Sequence, residues 1–287
     1  MTETVTDTQV SEADGIYPDL PGNAFRGTKG LSASGAGIIL SSPAKYRHSR
    51  SADKPTQAKD FGTAWHTEVL GAGGETLIAD CSTRGAKAYK DLDTQENRDA
   101  DKTPILATEY ETILKMAVVL REHELAAELL SNGLPEVGFR STDPQTGVKL
   151  RGRWDYLTEY QDRPAIIEAK TAVSADPREF ARAAYNLKYH LGFAFYTTCY
   201  EQITGQMPAM LHVVQEKEPP YLVSVCEFDA DAYRSGLADM RAAIDLYQRC
   251  SATDEWPGYP PGINTITTPP WDRNRRKYLD DEIGVTI

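Results

Sequence analysis

The stretch LRGRWDYLTEYQDRPAIIEAKT, residues 150–171, constrains this chain more than any other. It reads as two strands, residues 149–158 and 165–171, joined by a short polar turn that ends at Pro164. Side chains alternate faces along a strand, so Arg151, Arg153 and Asp155 share one face of the first strand. On the second, Glu168 and Lys170 share a face with Ile166, while Ile167 and Ala169 point the other way. Two carboxylates and an ammonium at the ends of neighbouring strands are costly to hold beside an apolar sheet. A metal ion accounts for the cost. Hard divalent cations such as Mg2+ take carboxylate oxygens, and a nearby Lys can steer or activate the attacking water. An E-x-K triplet alone is more often a solvated strand face with a weak ion pair. The G-R-x-D strand before it and the helix directly after it turn the pattern into a candidate site.

Composition narrows the class. With 287 residues, 40% of them hydrophobic, the chain can bury one large core or one core with small additions. No apolar run is long enough for a membrane span. The opening residues MTETVTDTQVSEADG lack the basic-then-apolar pattern of a signal peptide, which predicts a cytoplasmic protein. Cys81, Cys199, Cys226 and Cys250 lie far apart with no C-x-x-C, which argues against a zinc or disulfide framework. The net charge of −11 argues against a nonspecific basic coat for DNA, but leaves a local basic channel open.

Residues 1–28 read as a flexible polar arm, and residues 29–287 as a single domain without repeats. Ordered structure begins near residues 31–40, with Ser32 or Ser34 a possible cap and Ser42-Pro43 a break. A helix is expected over 59–70, capped by Asp60, with Phe61, Ala64 and Trp65 as its apolar stripe and His66 off the stripe's centre. A lone His near an apolar helix face is more often structural. Charged helical residues follow at 86–97, then a clear helix over 109–131 with Thr108 to Glu111 as a capping box. Strands are expected at 136–142, 209–215 and 221–228, helical structure over 176–203 divided near Asn186, and a last helix over 230–250.

With His66, Asp155, Glu168 and Lys170 placed, the chain resembles the PD-(D/E)XK nuclease superfamily, and more closely the exonuclease VIII (RecE) group of phage and prophage nucleases. The motifs that carry the resemblance are GTAWH at 62–66, PEVGFR at 135–140, GRWD at 152–155, EAK at 168–170 and YHLGFAFY at 189–196, with WPGY and TPPW in the tail. It runs from about residue 31 to about residue 271. The resemblance implies an α/β fold: a restriction-endonuclease-like core with a central mixed β-sheet flanked by helices. It implies that His66, Asp155 and Glu168 bind Mg2+ or Mn2+ with the backbone carbonyl of Ala169, and that Lys170 positions the hydrolytic water. Glu136 matches an acidic position before the G-R-x-D strand, and a solvated strand-edge carboxylate is an equal reading of it. One departure stands out. Relatives carry Q-x-x-x-Y in the helix after E-x-K, and here Gly192 occupies the Gln position while Tyr196 is retained.

The resemblance implies a metal-dependent exodeoxyribonuclease acting on linear double-stranded DNA ends, 5′ to 3′, leaving single strands for recombination in a bacterial host cell. Arg151, Arg153, Arg182 and Lys188 are candidates for gripping phosphates, and Tyr185, Tyr189 or Tyr196 for stacking on a frayed base. The implied partners are a single-strand annealing recombinase and further copies of the chain in a ring. Two alternatives stay open. A Cas4-like nuclease shares H…D…E-x-K but needs clustered cysteines that this chain lacks. A catalytically silent DNA-binding scaffold of the same fold would be favoured by loss of the Lys or a carboxylate, and none is lost.

Overall fold

A mixed sheet of six strands carries the fold. The computed structural model describes residues 13–18, 28–49, 55–269 and 272–273. The strands are β1 Gly15–Tyr17, β4 Leu134–Thr142, β5 Lys149–Tyr160, β6 Arg163–Ala172, β7 Ala209–Glu216 and β8 Val223–Cys226. Strands β2 Glu75–Ala79 and β3 Lys102–Leu106 form a separate parallel pair. The helices are α1 Ala33–Ser41, α2 Pro43–Ser49, α3 Gln57–Leu70, α4 Lys87–Leu92, α5 Gln95–Asp99, α6 Ala107–Glu122, α7 Glu124–Leu129, α8 Pro177–Asn186, α9 Tyr189–Thr204 and α10 Ala230–Thr253. This is the central mixed sheet flanked by helices that the family resemblance implies.

Pairing is antiparallel from β1 through β6, and parallel between β6 and β7. A parallel neighbour needs a crossover, which α8 and α9 supply. Both faces of the sheet are covered. Ile166 and Met210 pack with Leu31, Ile39, Phe195 and Ile244 on one side, and Ile167 and Val213 with Trp65, Ile113, Met116 and Leu129 on the other. The alternation read from residues 166–170 therefore decides which cluster each side chain joins.

Several boundaries differ from expectation for local reasons. The β5–β6 turn is only Gln161-Asp162, both with positive φ, so β6 starts before Pro164. Pro164 is tolerated because it precedes the first β6–β7 pair, Ala165↔Ala209. Helix α3 starts two residues early, capped by Thr56 accepting from the Lys59 amide, and Asp60 instead sits buried under Arg84 and Arg98. The expected helix over 109–131 is two helices hinged at His123, and Glu109 caps the first by accepting from the Leu106 amide. The span 86–97 breaks between Leu92 and Gln95.

Contacts divide the chain into two units, Met1–Trp256 and Pro257–Ile287, and residues 257–269 of the second are irregular backbone. Most of the expected arm, residues 1–28, lies outside the described residues, as does Trp271 of TPPW. Within the arm's span, Gly15–Tyr17 forms the edge strand on β4. Among the described residues, no helix is long and apolar enough to cross a membrane.

Candidate active site

The sheet opens at Asp155. The β5–β6 ladder runs from Tyr160↔Arg163 to Tyr156↔Ile167 and stops before Asp155 and Glu168 would pair. Beyond that point β5 stays with β4 and β6 with β7, so the two central strands part. The β4–β5 ladder is interrupted at the same level: Pro135↔Tyr156 and Val137↔Trp154 pair, and Glu136 between them does not. Glu136 has φ 55, a left-handed backbone that costs a non-glycine residue about 1–3 kcal/mol and that clusters at functional sites. That kink turns its carboxylate toward α3.

Helix α3 brings in the imidazole. Trp65 is locked into the core, its indole N–H donating to Gln215 Oε1 at 2.8 Å while Gln215 Nε2 donates to the Met116 carbonyl at 2.7 Å. The next residue, about 100° further round the helix, is His66. Its Nε2 lies 2.9 Å from Asp155 Oδ2 and its Nδ1 3.2 Å from Glu136 Oε1. Arg153 pairs with the other oxygen of Glu136. On β6, Lys170 Nζ lies 2.6 Å from Glu168 Oε1 and 3.7 Å from Asp155 Oδ2. The Ala169 amide, freed where the strands part, donates to Asp155 Oδ2 at 2.9 Å.

These groups set one another's ionisation. Burial opposes charge on His66, but Asp155, and hydrogen bonds to Asp155 and Glu136, lift its pKa to about 10. Burial also opposes charge on Asp155, yet His66 and Lys170 hold it well below the usual carboxylate range. Glu168 goes the other way: burial, then the charge of Asp155, push it up to about 7 despite Lys170. Lys170 is raised, because Glu168 and Asp155 outweigh the burial that would lower it. Three carboxylates are thus balanced at one buried point by the imidazole of His66, the ammonium of Lys170 and the guanidinium of Arg153.

That donor set suits a divalent cation. His66, Glu136 and Asp155 each offer a ligand atom, all within 4.8 Å of one another. Glu168 Oε2 is buried with no hydrogen-bond partner, an orphaned oxygen of the kind a hard cation takes. Three carboxylates beside one imidazole suit a divalent cation held mainly through oxygen.

Of the residues the sequence singled out, His66, Glu136, Asp155, Glu168 and Lys170 come together. Ala169 joins them through its amide, while its side chain is buried in the core. Arg153 lines the cleft of about 580 Å3 that holds His66 and Asp155, and Lys188, Tyr189 and Tyr196 line a second cavity of about 580 Å3 on the Glu168 side. Arg151 and Arg182 line neither: Arg151 Nε donates to the Gly30 carbonyl, and Arg182 is exposed on α8. Tyr185 is stacked on His190 at 4.6 Å. The structure adds Lys59, Gly62 and Thr63, which line the cleft with His66. Their i, i+3, i+4, i+7 spacing is the signal that could have found them. Nothing in the sequence points to Gln215.

Residues 40–269 match the family described as a PDDEXK-like domain of unknown function (DUF3799). A solved structure from Eubacterium rectale, named "Putative exonuclease", superimposes with TM-score 0.55 at 12% identity, covering 89% of this chain and 93% of that chain. A second, SSO0001, gives TM-score 0.29 at 14% identity over 70% of this chain and 81% of that chain, too low to bear on the fold. A search of the curated proteins finds no match. At 12% identity the first likeness speaks to the fold, which is restriction-endonuclease-like. The forked sheet with its buried E-x-K and the match over 40–269 lead to one assignment: the chain belongs to the PDDEXK-like family DUF3799, within the PD-(D/E)XK nuclease superfamily.

Proposed function

We propose that the protein is a metal-dependent exodeoxyribonuclease that degrades linear double-stranded DNA from its ends, 5′ to 3′, leaving single strands for recombination. The observation that carries this reading is the convergence of His66, Glu136, Asp155, Glu168 and Lys170 where β5 and β6 part. The exonuclease named for the Eubacterium rectale structure supports it, as do the motifs shared with the exonuclease VIII group. The resemblance of the motifs to the exonuclease VIII group also supports a cytoplasmic role in a bacterial cell beside an annealing recombinase, with copies of the chain in a ring.

His66, Asp155 and Glu168 would hold the Mg2+ or Mn2+, with Glu136 as a further carboxylate. When bound, such an ion supplies Lewis acidity toward a phosphoryl oxygen and lowers the pKa of water. Lys170 is kept charged by its two carboxylate neighbours, so its ammonium orients the attacking water and offsets negative charge building on the phosphate. The Ala169 amide fixes Asp155, and Gln215 fixes α3 so that His66 keeps its approach. Lys59 and Arg153, which line the cleft, and Lys188, which lines the cavity beyond it, are the groups that would meet backbone phosphates.

The test is an end-labelled linear duplex beside closed circular DNA, with Mg2+ and with EDTA. The linear duplex should disappear only with Mg2+, and the circle should survive. Equal loss of the circle would refute end-dependent action. Retention of both DNAs by a protein that cuts neither would make it a scaffold.

A further inference from the structure

We infer that the cavity on the Glu168–Lys170 side of the fork is a nucleobase subsite, opened by Gly192, that takes the base beside the cleaved phosphate out of its stack. The inference rests on the nuclease reading for the course of the DNA backbone, and on the cavity itself for the rest. The cavity holds about 580 Å3, within the range of sites that enclose small organic ligands. Glu168 and Lys170 form part of its wall, so an occupant lies beside the groups proposed for the reaction. The remaining wall is mostly apolar and aromatic, including Ile38, Met210, Tyr189, Tyr196 and His212. The rings of Tyr189 and His212 lie 15° from parallel at 6.3 Å. Flat π surfaces at a cavity wall suit any base, because every base has a π face. Asn186 at the same wall carries amide donors and acceptors for a base edge.

Two glycines keep the space clear. Gly192 is the fourth residue of α9, where glycine is a poor helix former, and a Cβ there would meet nothing within 4 Å. No packing partner therefore demands glycine; any larger side chain would project into the cavity. Gly37 on α1 also lines it, and a Cβ there would touch only the Lys188 side chain, at 3.3 Å. Lys188 itself has φ 60 at the start of α9, a left-handed bend immediately before Tyr189. A base that leaves its stack must be paid for by contacts of this kind, and glycosylases and deaminases meet the same demand with a closed aromatic pocket.

The experiment compares 2′-deoxyadenosine 5′-monophosphate with 2-deoxyribose 5-phosphate, which lacks the base, by calorimetric titration of the full chain with and without Mg2+. Wild type should bind the nucleotide about tenfold more tightly than the sugar phosphate, the scale of one base stacked on aromatic side chains. Gly192→Leu should bring the two within about twofold while its melting temperature stays level or rises, since leucine favours helix over glycine. Gly192→Ala should keep most of the preference. Equal binding of the two ligands by wild type, binding of neither, or an undiminished preference in Gly192→Leu would each overturn the subsite; the wild-type comparison stands even if the leucine variant fails to fold. DNA cleavage by wild type is measured in parallel. Preference for the base without cleavage would leave the subsite standing and remove the nuclease reading; cleavage without preference would do the reverse.

Discussion

At the residue scale, Lys170 and Glu168 touch at 2.6 Å but have different work in the proposed site. Lys170→Ala removes an ammonium that orients water and leaves the ligand set, so metal and DNA binding should survive while cleavage falls by roughly 100-fold or more. Glu168→Ala removes a ligand and should weaken both metal binding and turnover. Equal cleavage rates in wild type and Lys170→Ala would reduce the E-x-K to an ion pair. His212 provides a separate test. Burial, then the charge of Lys170, push its imidazole down to about 3. Because the folded value lies below the unfolded value of about 6.5, the unfolded chain alone takes the proton as pH falls through that window. Stability should drop by about 2 kcal/mol between pH 7.5 and pH 5 through this group, and His212→Gln should lose less over the same range. Urea unfolding of both proteins at the two pH values measures the difference. A parallel decline would show that His212 is not held neutral.

At the element scale, α9 supports both the cavity and the sheet, and its place is set by α10. A Cβ at Gly236 on α10 would lie 2.1 Å from the His190 carbonyl oxygen and 2.9 Å from Ala194 Cβ. Both atoms are fixed to the α9 backbone, so the helices would have to separate. Gly236→Ala should therefore destabilise by about 1–3 kcal/mol, although alanine is the better helix former by roughly 1 kcal/mol. Unchanged or raised stability in denaturant titration would show that the helices can part at little cost. The elements themselves were largely legible in sequence. Asp176 followed by Pro177 announces α8, and the alternation over 149–158 announces β5, because caps and strand periodicity act over a few residues. The parallel pair β2–β3 was not, since Glu75–Ala79 and Lys102–Leu106 are short and lack a clear two-residue alternation of burial.

At the scale of the whole molecule, the proposed duplex substrate sets a polyanion against a net charge of −11. In the proposed reading, Lys59 and Arg153 in the cleft and Lys188 beyond it supply the positive charge locally. Three phosphate contacts would weaken binding about 40-fold between roughly 50 and 200 mM salt, through counterion release. Filter binding of a linear duplex across that range measures the slope. A flat response would count against backbone gripping in this cleft.

The amino-acid sequence by itself determined the candidates: the hairpin of β5 and β6, the carboxylates and lysine on it, and a helix carrying His66. These follow from patterns a few residues long, and side-chain direction in a strand needs no partner to be read. Only the tertiary structure decided how they meet. Glu136 lies 70 positions from the His66 it touches, and Gln215 lies 150 from the Trp65 it holds. The left-handed backbone at Glu136, the parting of β5 from β6, and the space before Gly192 all depend on which strands and helices become neighbours. Neighbour choice and register are fixed by burying two apolar clusters on opposite faces of one sheet, a property of the packed chain that no local stretch contains.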